Sequence, residues 1–161
     1  MFVRTIAAVV AMFAALLMGA SVASAAPAKY THAQATAQLR AAGIAWDSSG
    51  DCSDRNRSNC TSFEQINQTT IAGAKTFKRA SGCALTITGG TETGHASGTY
   101  SHWNGYKLDF SPTSCLSNYI TGTFTNIGPR PGDGAQQYKS GSGNIYYRES
   151  NHWDVTYHSA G

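Results

Sequence analysis

In the stretch Ser101-His102-Trp103-Asn104-Gly105-Tyr106-Lys107-Leu108-Asp109, a histidine and an aspartate stand seven positions apart on either side of an Asn-Gly dipeptide. Side chains alternate along a strand, so an odd separation puts His102 and Asp109 on opposite faces of an unbroken one. Asn-Gly is a strong tight-turn signal, and the chain is expected to reverse or bulge there and bring both residues to one side. The pair then supplies two of the three protein ligands that a catalytic zinc ion takes. One such spacing is weak evidence, so the rest of the chain has to provide a third ligand, a base and a compartment.

The compartment is written at the N-terminus. Residues 1–25 hold one charge, Arg4, then an apolar run from Ile6 to Met18, then small residues ending in Ala23-Ser24-Ala25. That is the pattern of a secretory signal, and the run is shorter than the roughly twenty apolar residues of a membrane span. The expected mature chain, 26–161, is long enough for one domain with its own core and too short for two. It is expected to be secreted, extracellular or in the cell wall, without membrane association after signal removal, and monomeric. Twelve Lys and Arg stand against nine Asp and Glu, a formal net charge of +3, and loss of Arg4 leaves +2. Apart from the short mixed cluster Asp54-Arg55-Asn56-Arg57 there is no basic block or stripe, which argues against nucleic acid as the main partner.

All four cysteines, Cys52, Cys60, Cys83 and Cys115, lie in the exported part. In an oxidising compartment an even count reads as two disulfides, and of the three pairings Cys52–Cys60 with Cys83–Cys115 is favoured. No C-x2-4-C knuckle is present, which speaks against a cysteine zinc site.

Thr31 to Ala42 reads as a short helix that Thr31 caps and Gly43 ends, with Ile44 and Trp46 pinning it to the core. Asp47 to Asn59 is polar and glycine-bearing, a loop held by its disulfide. A second helix is expected from Ser62, which stands three residues before Gln65 in a capping-box pattern, to about Ala80, with Phe63, Ile66, Ala74 and Phe77 on its buried face and Gly82 as its stop. At Ala84-Leu85-Thr86-Ile87-Thr88 the period becomes two, a strand broken by Gly89-Gly90. A short helix is expected through Leu116, Tyr119 and Ile120, then a loop over Gly128-Pro129-Arg130-Pro131-Gly132-Asp133-Gly134. From Ile145 to Tyr157 the chain is strand-like; in its second half His152, Asp154 and Thr156 face one way and Trp153, Val155 and Tyr157 face inward.

Glu149 stands three residues before His152, again an odd separation, and therefore belongs to an irregular Glu149-Ser150-Asn151 entry from which its carboxylate can reach a metal held by His152. The expected site is one zinc ion on His102, Asp109 and His152, with water in the fourth position and Glu149 as the catalytic base. His95, Asp154, Trp103 and Trp153 are candidates for touching substrate or steadying the ligands, and Tyr106 for lining a groove. His32 and His158 have no matching partners and are expected at the surface.

In this order, Thr86-Ile87-Thr88-Gly89-Gly90, Gly94-His95, Ser101-His102-x-x-Gly105-x-x-x-Asp109 and Glu149-x-x-His152-Trp153-Asp154 resemble the motifs of the D-alanyl-D-alanine zinc carboxypeptidases, part of the wider lysostaphin and hedgehog metallopeptidase-like group. The resemblance implies a small α+β domain with a central antiparallel sheet, N-terminal helices packed on it and zinc at one end of the sheet. It implies hydrolysis of peptidoglycan stem peptides, with His102, Asp109 and His152 as ligands and Glu149 as general base. Many relatives carry a second histidine two residues after the last ligand, where this chain has Asp154. Carboxypeptidase relatives often place an arginine near the strand before the first ligand; no Arg lies between Arg79 and Arg130, which leaves carboxypeptidase and endopeptidase action both open. The competing expectation is a zinc-containing module that binds cell-wall peptide without cutting it.

Overall fold

The computed structural model describes residues 26–159. The expected signal segment 1–25 lies outside the described residues. These form an α+β domain with a two-stranded sheet, a seven-stranded sheet and three helices.

The chain enters through β1 (Lys29–Tyr30) and α1 (His32–Ala41). Thr31 caps α1 as expected: its hydroxyl accepts the Gln34 N–H at 3.3 Å while the Gln34 side chain accepts the Thr31 N–H at 3.0 Å, a reciprocal box that satisfies two otherwise orphan donors. Gly43, at φ +65°, turns the chain into β2 (Ala45–Trp46). Ile44 is buried and Trp46 packs edge-on against Phe63 with centroids 5.9 Å apart.

The second helix begins later than its capping pattern suggests. It is α2 (Gln68–Ser81), preceded by β3 (Ile66–Asn67), and Gly82 ends it in the left-handed conformation. Ser62 cannot open a helix, because the Glu92 carboxylate takes its N–H at 2.7 Å and the Thr91 N–H takes its carbonyl at 2.7 Å. Ile66 and Asn67 pair instead with Tyr30 and Lys29. Phe63 and Ile66 are buried as expected, but from an extended segment rather than a helical face. Tertiary partners have outcompeted a local cap.

The large sheet is ordered β2-β4-β5-β9-β8-β7-β6, with β4 (Thr86–Gly89), β5 (Lys107–Phe110), β6 (Thr125–Pro129), β7 (Gln136–Lys139), β8 (Ile145–Arg148) and β9 (Trp153–Thr156). The antiparallel expectation needs one correction. β2 and β4 run parallel, because α2 lies between them in sequence and a crossover helix returns the chain in the same direction. The other pairings of this sheet are antiparallel. Between β5 and β6 lies α3 (Ser114–Thr123), the expected helix through Leu116, Tyr119 and Ile120, capped by Thr113. Two further expectations are corrected. Gly128 and Pro129 belong to β6 rather than to a loop, and Ile145–Tyr157 is a hairpin, β8 and β9 joined by residues 149–152, rather than one strand.

One core joins these layers: Leu39 of α1, Ile71 and Phe77 of α2, Ile120 of α3, and Ile87, Leu108 and Val155 of the central strands are all at most 3 % exposed. Both disulfides have the favoured pairing, Cys52–Cys60 and Cys83–Cys115. Among the described residues no helix is long and apolar enough to cross a membrane.

The Cys83–Cys115 bridge, with a sequence separation of 32, ties the entry of β4 to α3, whereas Cys52–Cys60 closes a loop of separation 8. Loop-closure entropy then predicts that Cys83→Ser with Cys115→Ser lowers stability by about 3.5 kcal/mol, against about 2.5 kcal/mol for Cys52→Ser with Cys60→Ser. Guanidinium unfolding midpoints of the two double variants check the ordering, and equal losses would count against it.

Candidate metal centre

Asp109 is the middle of the site. It sits on β5 opposite Gly89 of β4 and Asp154 of β9, and it is 5 % exposed. A Cβ on residue 89 would come within 2.4 Å of Asp109 Oδ2, so the carboxylate fits only because residue 89 is glycine.

His102 reaches Asp109 through the expected turn. Gly105, at φ +82°, donates its N–H to the His102 carbonyl at 2.8 Å, and Tyr106 donates to the Ser101 carbonyl at 3.1 Å. The reversal is locked against the start of α2, where the Thr70 hydroxyl and the Asn67 N–H both donate to the Gly105 carbonyl. His102 Nε2 thereby comes to 3.3 Å from Asp109 Oδ1. Its Nδ1 lies 2.7 Å from the Gly90 carbonyl, which can only accept, so Nδ1 carries a proton and Nε2 is the nitrogen turned toward the carboxylate.

His152 arrives from the other side. It ends the β8–β9 hairpin loop, and its Nε2 lies 3.5 Å from the same Asp109 Oδ1. Its Nδ1 donates to Asn151 Oδ1 at 2.7 Å, which again leaves Nε2 for the site. Glu149, from the same loop, places Oε2 at 3.4 Å from His152 Nε2. Asp109 Oδ1 is buried and accepts no hydrogen bond. Two ligands held at about 2.1 Å around a tetrahedral ion stand about 3.4 Å apart, which is the spacing of Oδ1 from each imidazole nitrogen.

His95 stands beside these residues. Its ring stacks on His102 with centroids 3.8 Å apart and planes 14° from parallel, and Nδ1 is 3.8 Å from Asp109 Oδ2. His95, His102 and Asp109 each bring one ligand atom within 4.8 Å of the others, a group able to hold a metal ion; among the described residues it is the group of three so placed, and it contains His95 in place of the expected His152. Without a metal the neighbouring carboxylates favour a proton on His102, which an ion binding at Nε2 would displace. Burial opposes a charge on His102, yet Asp109 and Asp154 outweigh it and raise its pKa to about 10. Asp154, 4 % exposed, is held down to about 2 against the same burial by His102 and by Lys107, whose ammonium is 2.5 Å away. Its Oδ1 is 3.7 Å from His102 Nε2, so Asp154 faces the histidine rather than replacing it.

Three residues with no local sequence signal complete the centre. Glu92, 2 % exposed, holds His95 Nε2 at 3.0 Å. Lys107 pairs with Asp154. Arg130 reaches in from the turn after β6, pairs with Asp133, bonds Glu149 Oε1 at 2.6 Å and lies 3.6 Å from Asp154. Its approach depends on the β6–β7 hairpin folding back, which is not legible from residues 128–134 alone. A cavity of about 600 Å³ opens over Lys107, Asp109, Arg130, Glu149, His152 and Asp154.

The remaining candidates separate. Trp153 is 1 % exposed and belongs to the core, donating its indole N–H to Ser117, so it lines no groove. Trp103 is 46 % exposed with the Arg55 guanidinium 3.7 Å above its ring. Tyr106 packs edge-on against Tyr100. His158 is exposed, as expected. His32 is half-buried, stacked on Phe63 and accepting the Phe63 N–H at 3.1 Å, a packing role rather than a surface one.

No family model, no curated protein and no solved structure matches this chain.

A Cβ at position 105 would lie 2.6 Å from the Gln65 carbonyl and 2.9 Å from the Asn67 nitrogen, both backbone atoms, at a φ that side chains rarely adopt. Gly105→Ala is therefore expected to cost about 3 kcal/mol in denaturant unfolding, from strain and overpacking together. An unchanged midpoint would show that the turn is not the rigid joint between His102 and Asp109.

Proposed function

We propose that this protein is a secreted zinc metallopeptidase that hydrolyses peptide bonds in peptidoglycan stem peptides, as a D-alanyl-D-alanine carboxypeptidase or a related endopeptidase. One observation carries the reading: the buried, unpaired Asp109 Oδ1 lies 3.3 Å from His102 Nε2 and 3.5 Å from His152 Nε2, with Glu149 Oε2 3.4 Å from the latter. Three ligands with a carboxylate beside them is the set a hydrolytic zinc requires. The ordered motifs that resemble the zinc carboxypeptidases supply the same four residues.

His152 is preferred to His95 as third ligand on geometric grounds. Imidazole lone pairs lie in the ring plane, and the nearly parallel His95 and His102 rings direct theirs side by side rather than toward one point. His102, Asp109 and His152 would hold the zinc, which when bound would supply an acidified water and polarisation of the scissile carbonyl.

The chain's own groups do the rest. Glu149 takes the proton of the attacking water through Oε2 and delivers it to the leaving amine. Arg130 holds Glu149 Oε1 and keeps the free oxygen turned toward the ligands. The Arg130 guanidinium also lines the cavity and is the group suited to a substrate carboxylate, the role for which the strand before His102 offers no arginine. Asp154 faces His102 and restrains Lys107 at the cavity wall.

After exhaustive dialysis against metal-free buffer, about one tightly held zinc per chain is expected by elemental analysis, and less in His102→Ala, Asp109→Ala and His152→Ala. The zinc protein should release amine from purified peptidoglycan or from synthetic stem peptides ending in D-Ala-D-Ala, and Glu149→Ala should lower kcat/KM by roughly 10²–10⁴-fold while keeping its zinc. Mass spectrometry of the products separates loss of a terminal D-alanine from cross-bridge cleavage. Zinc-loaded protein that binds these peptides, releases no amine and is unaffected by Glu149→Ala would instead be the non-catalytic wall-binding module.

A further inference from the structure

The proposed zinc site takes Asp109 Oδ1 and leaves Asp109 Oδ2, His95 and Glu92 without a task. Glu92 is deeply buried, and its carboxylate is fixed by the N–H groups of Ser62 at 2.7 Å and Gly90 at 3.0 Å. The Gly90 carbonyl in turn orients His102, so one residue steadies both stacked rings. A carboxylate so held accepts the Nε2 proton of His95 at 3.0 Å, which leaves the Nδ1 lone pair on the cavity side. A histidine that donates one nitrogen to a carboxylate and offers the other to open space is the usual arrangement around a protein-bound metal.

What Nδ1 faces is Asp109 Oδ2, at 3.8 Å. Both atoms are acceptors, and two acceptors face one another favourably only with a cation or a shared donor between them. The stacked pair of rings then reads as two parallel half-sites: His102 Nε2 addresses Oδ1 and His95 Nδ1 addresses Oδ2 of one carboxylate. Two ions bridged by the two oxygens of one carboxylate is an arrangement that two-metal hydrolytic sites use.

We propose that His95 Nδ1 and Asp109 Oδ2 hold a second divalent cation, bridged to the first through the Asp109 carboxylate. This rests on the first ion occupying His102, Asp109 Oδ1 and His152. Imidazole and carboxylate donors suit zinc, cobalt or manganese, and with two protein ligands and the His95 side chain 26 % exposed, water completes the shell. The second ion is therefore bound more weakly and exchanges more readily than the first. It stands at a neck, because Gly94, His95 and Ala96 line both the main cavity and an adjoining cavity of about 250 Å³ that runs toward Trp103.

Cobalt titration of the chelator-stripped full mature chain, followed by calorimetry and by electron paramagnetic resonance, tests this. Two equivalents are expected, the second weaker, with magnetic coupling between the two cobalt ions at saturation. His95→Ala should bind one equivalent and lose the coupling, and Glu92→Gln should weaken the second equivalent by roughly 10–100-fold with the first retained. Should Glu92→Gln fail to fold, His95→Ala, a change at a partly exposed side chain, decides the matter alone. Saturation at one cobalt per chain in the unaltered protein overturns the proposal, as does a second equivalent that survives His95→Ala. Binding of no cobalt at all would sink the metallopeptidase reading and this one with it.

Discussion

Two carboxylates are buried side by side at the centre of the large sheet. Asp109 and Asp154 are register partners on adjacent strands, 5 % and 4 % exposed, and each has an Oδ1 that accepts no hydrogen bond. Burying like charges in contact is costly unless positive charge is brought to them. The chain brings it from three separate places: His102 from the turn before β5, Lys107 from two residues earlier on that strand, and Arg130 from the turn after β6. His152 and His95 add two more imidazoles around Asp109. Much of the architecture between β4 and β9 can be understood as the scaffold that delivers these groups to one pair of aspartates.

That scaffold is stiffened where the site needs it. Gly105 gives the reversal that carries His102 back over Asp109, and its carbonyl is held by the start of α2. Gly89 leaves room for the Asp109 carboxylate, and the neighbouring Gly90 uses its N–H on Glu92 and its carbonyl on His102. The polar loop around the Cys52–Cys60 bridge contributes from outside: the Arg55 guanidinium donates to the Thr91 carbonyl and the Arg55 backbone carbonyl accepts the Thr93 N–H, which steadies the segment leading to His95. Backbone hydrogen bonds fix the turn that carries His102, while the Glu92 and Asn151 side chains hold His95 and His152.

Where the sequence was legible, the reason was local. Thr31 with Gln34, Gly82 as a helix stop and Asn104-Gly105 as a turn are signals whose partners lie within four residues, and each forms as read. Alternation along a strand is likewise a backbone property, and both odd separations, His102 to Asp109 and Glu149 to His152, are resolved by turns. Ser62 with Gln65 has the same form as Thr31 with Gln34 and fails, because Glu92, thirty residues away, takes the Ser62 N–H. The parallel β2–β4 pairing, strand β6 and the burial of Trp153 in the core likewise depend on which distant segment lies alongside.

The amino-acid sequence by itself determined the chemistry available: which histidines and carboxylates exist, their spacing, the turns that resolve that spacing, and four cysteines whose favoured pairing is the one formed. Only the tertiary structure decided how those groups are held. Arg130 against Glu149, Lys107 against Asp154, Glu92 against His95, and the division of Asp109 into one oxygen facing His102 and His152 and another facing His95 all join residues that local spacing does not connect. The physical reason is that hydrogen-bond direction and charge proximity are properties of surfaces brought together by strand pairing, and no periodicity along one chain segment encodes what the opposite strand will present.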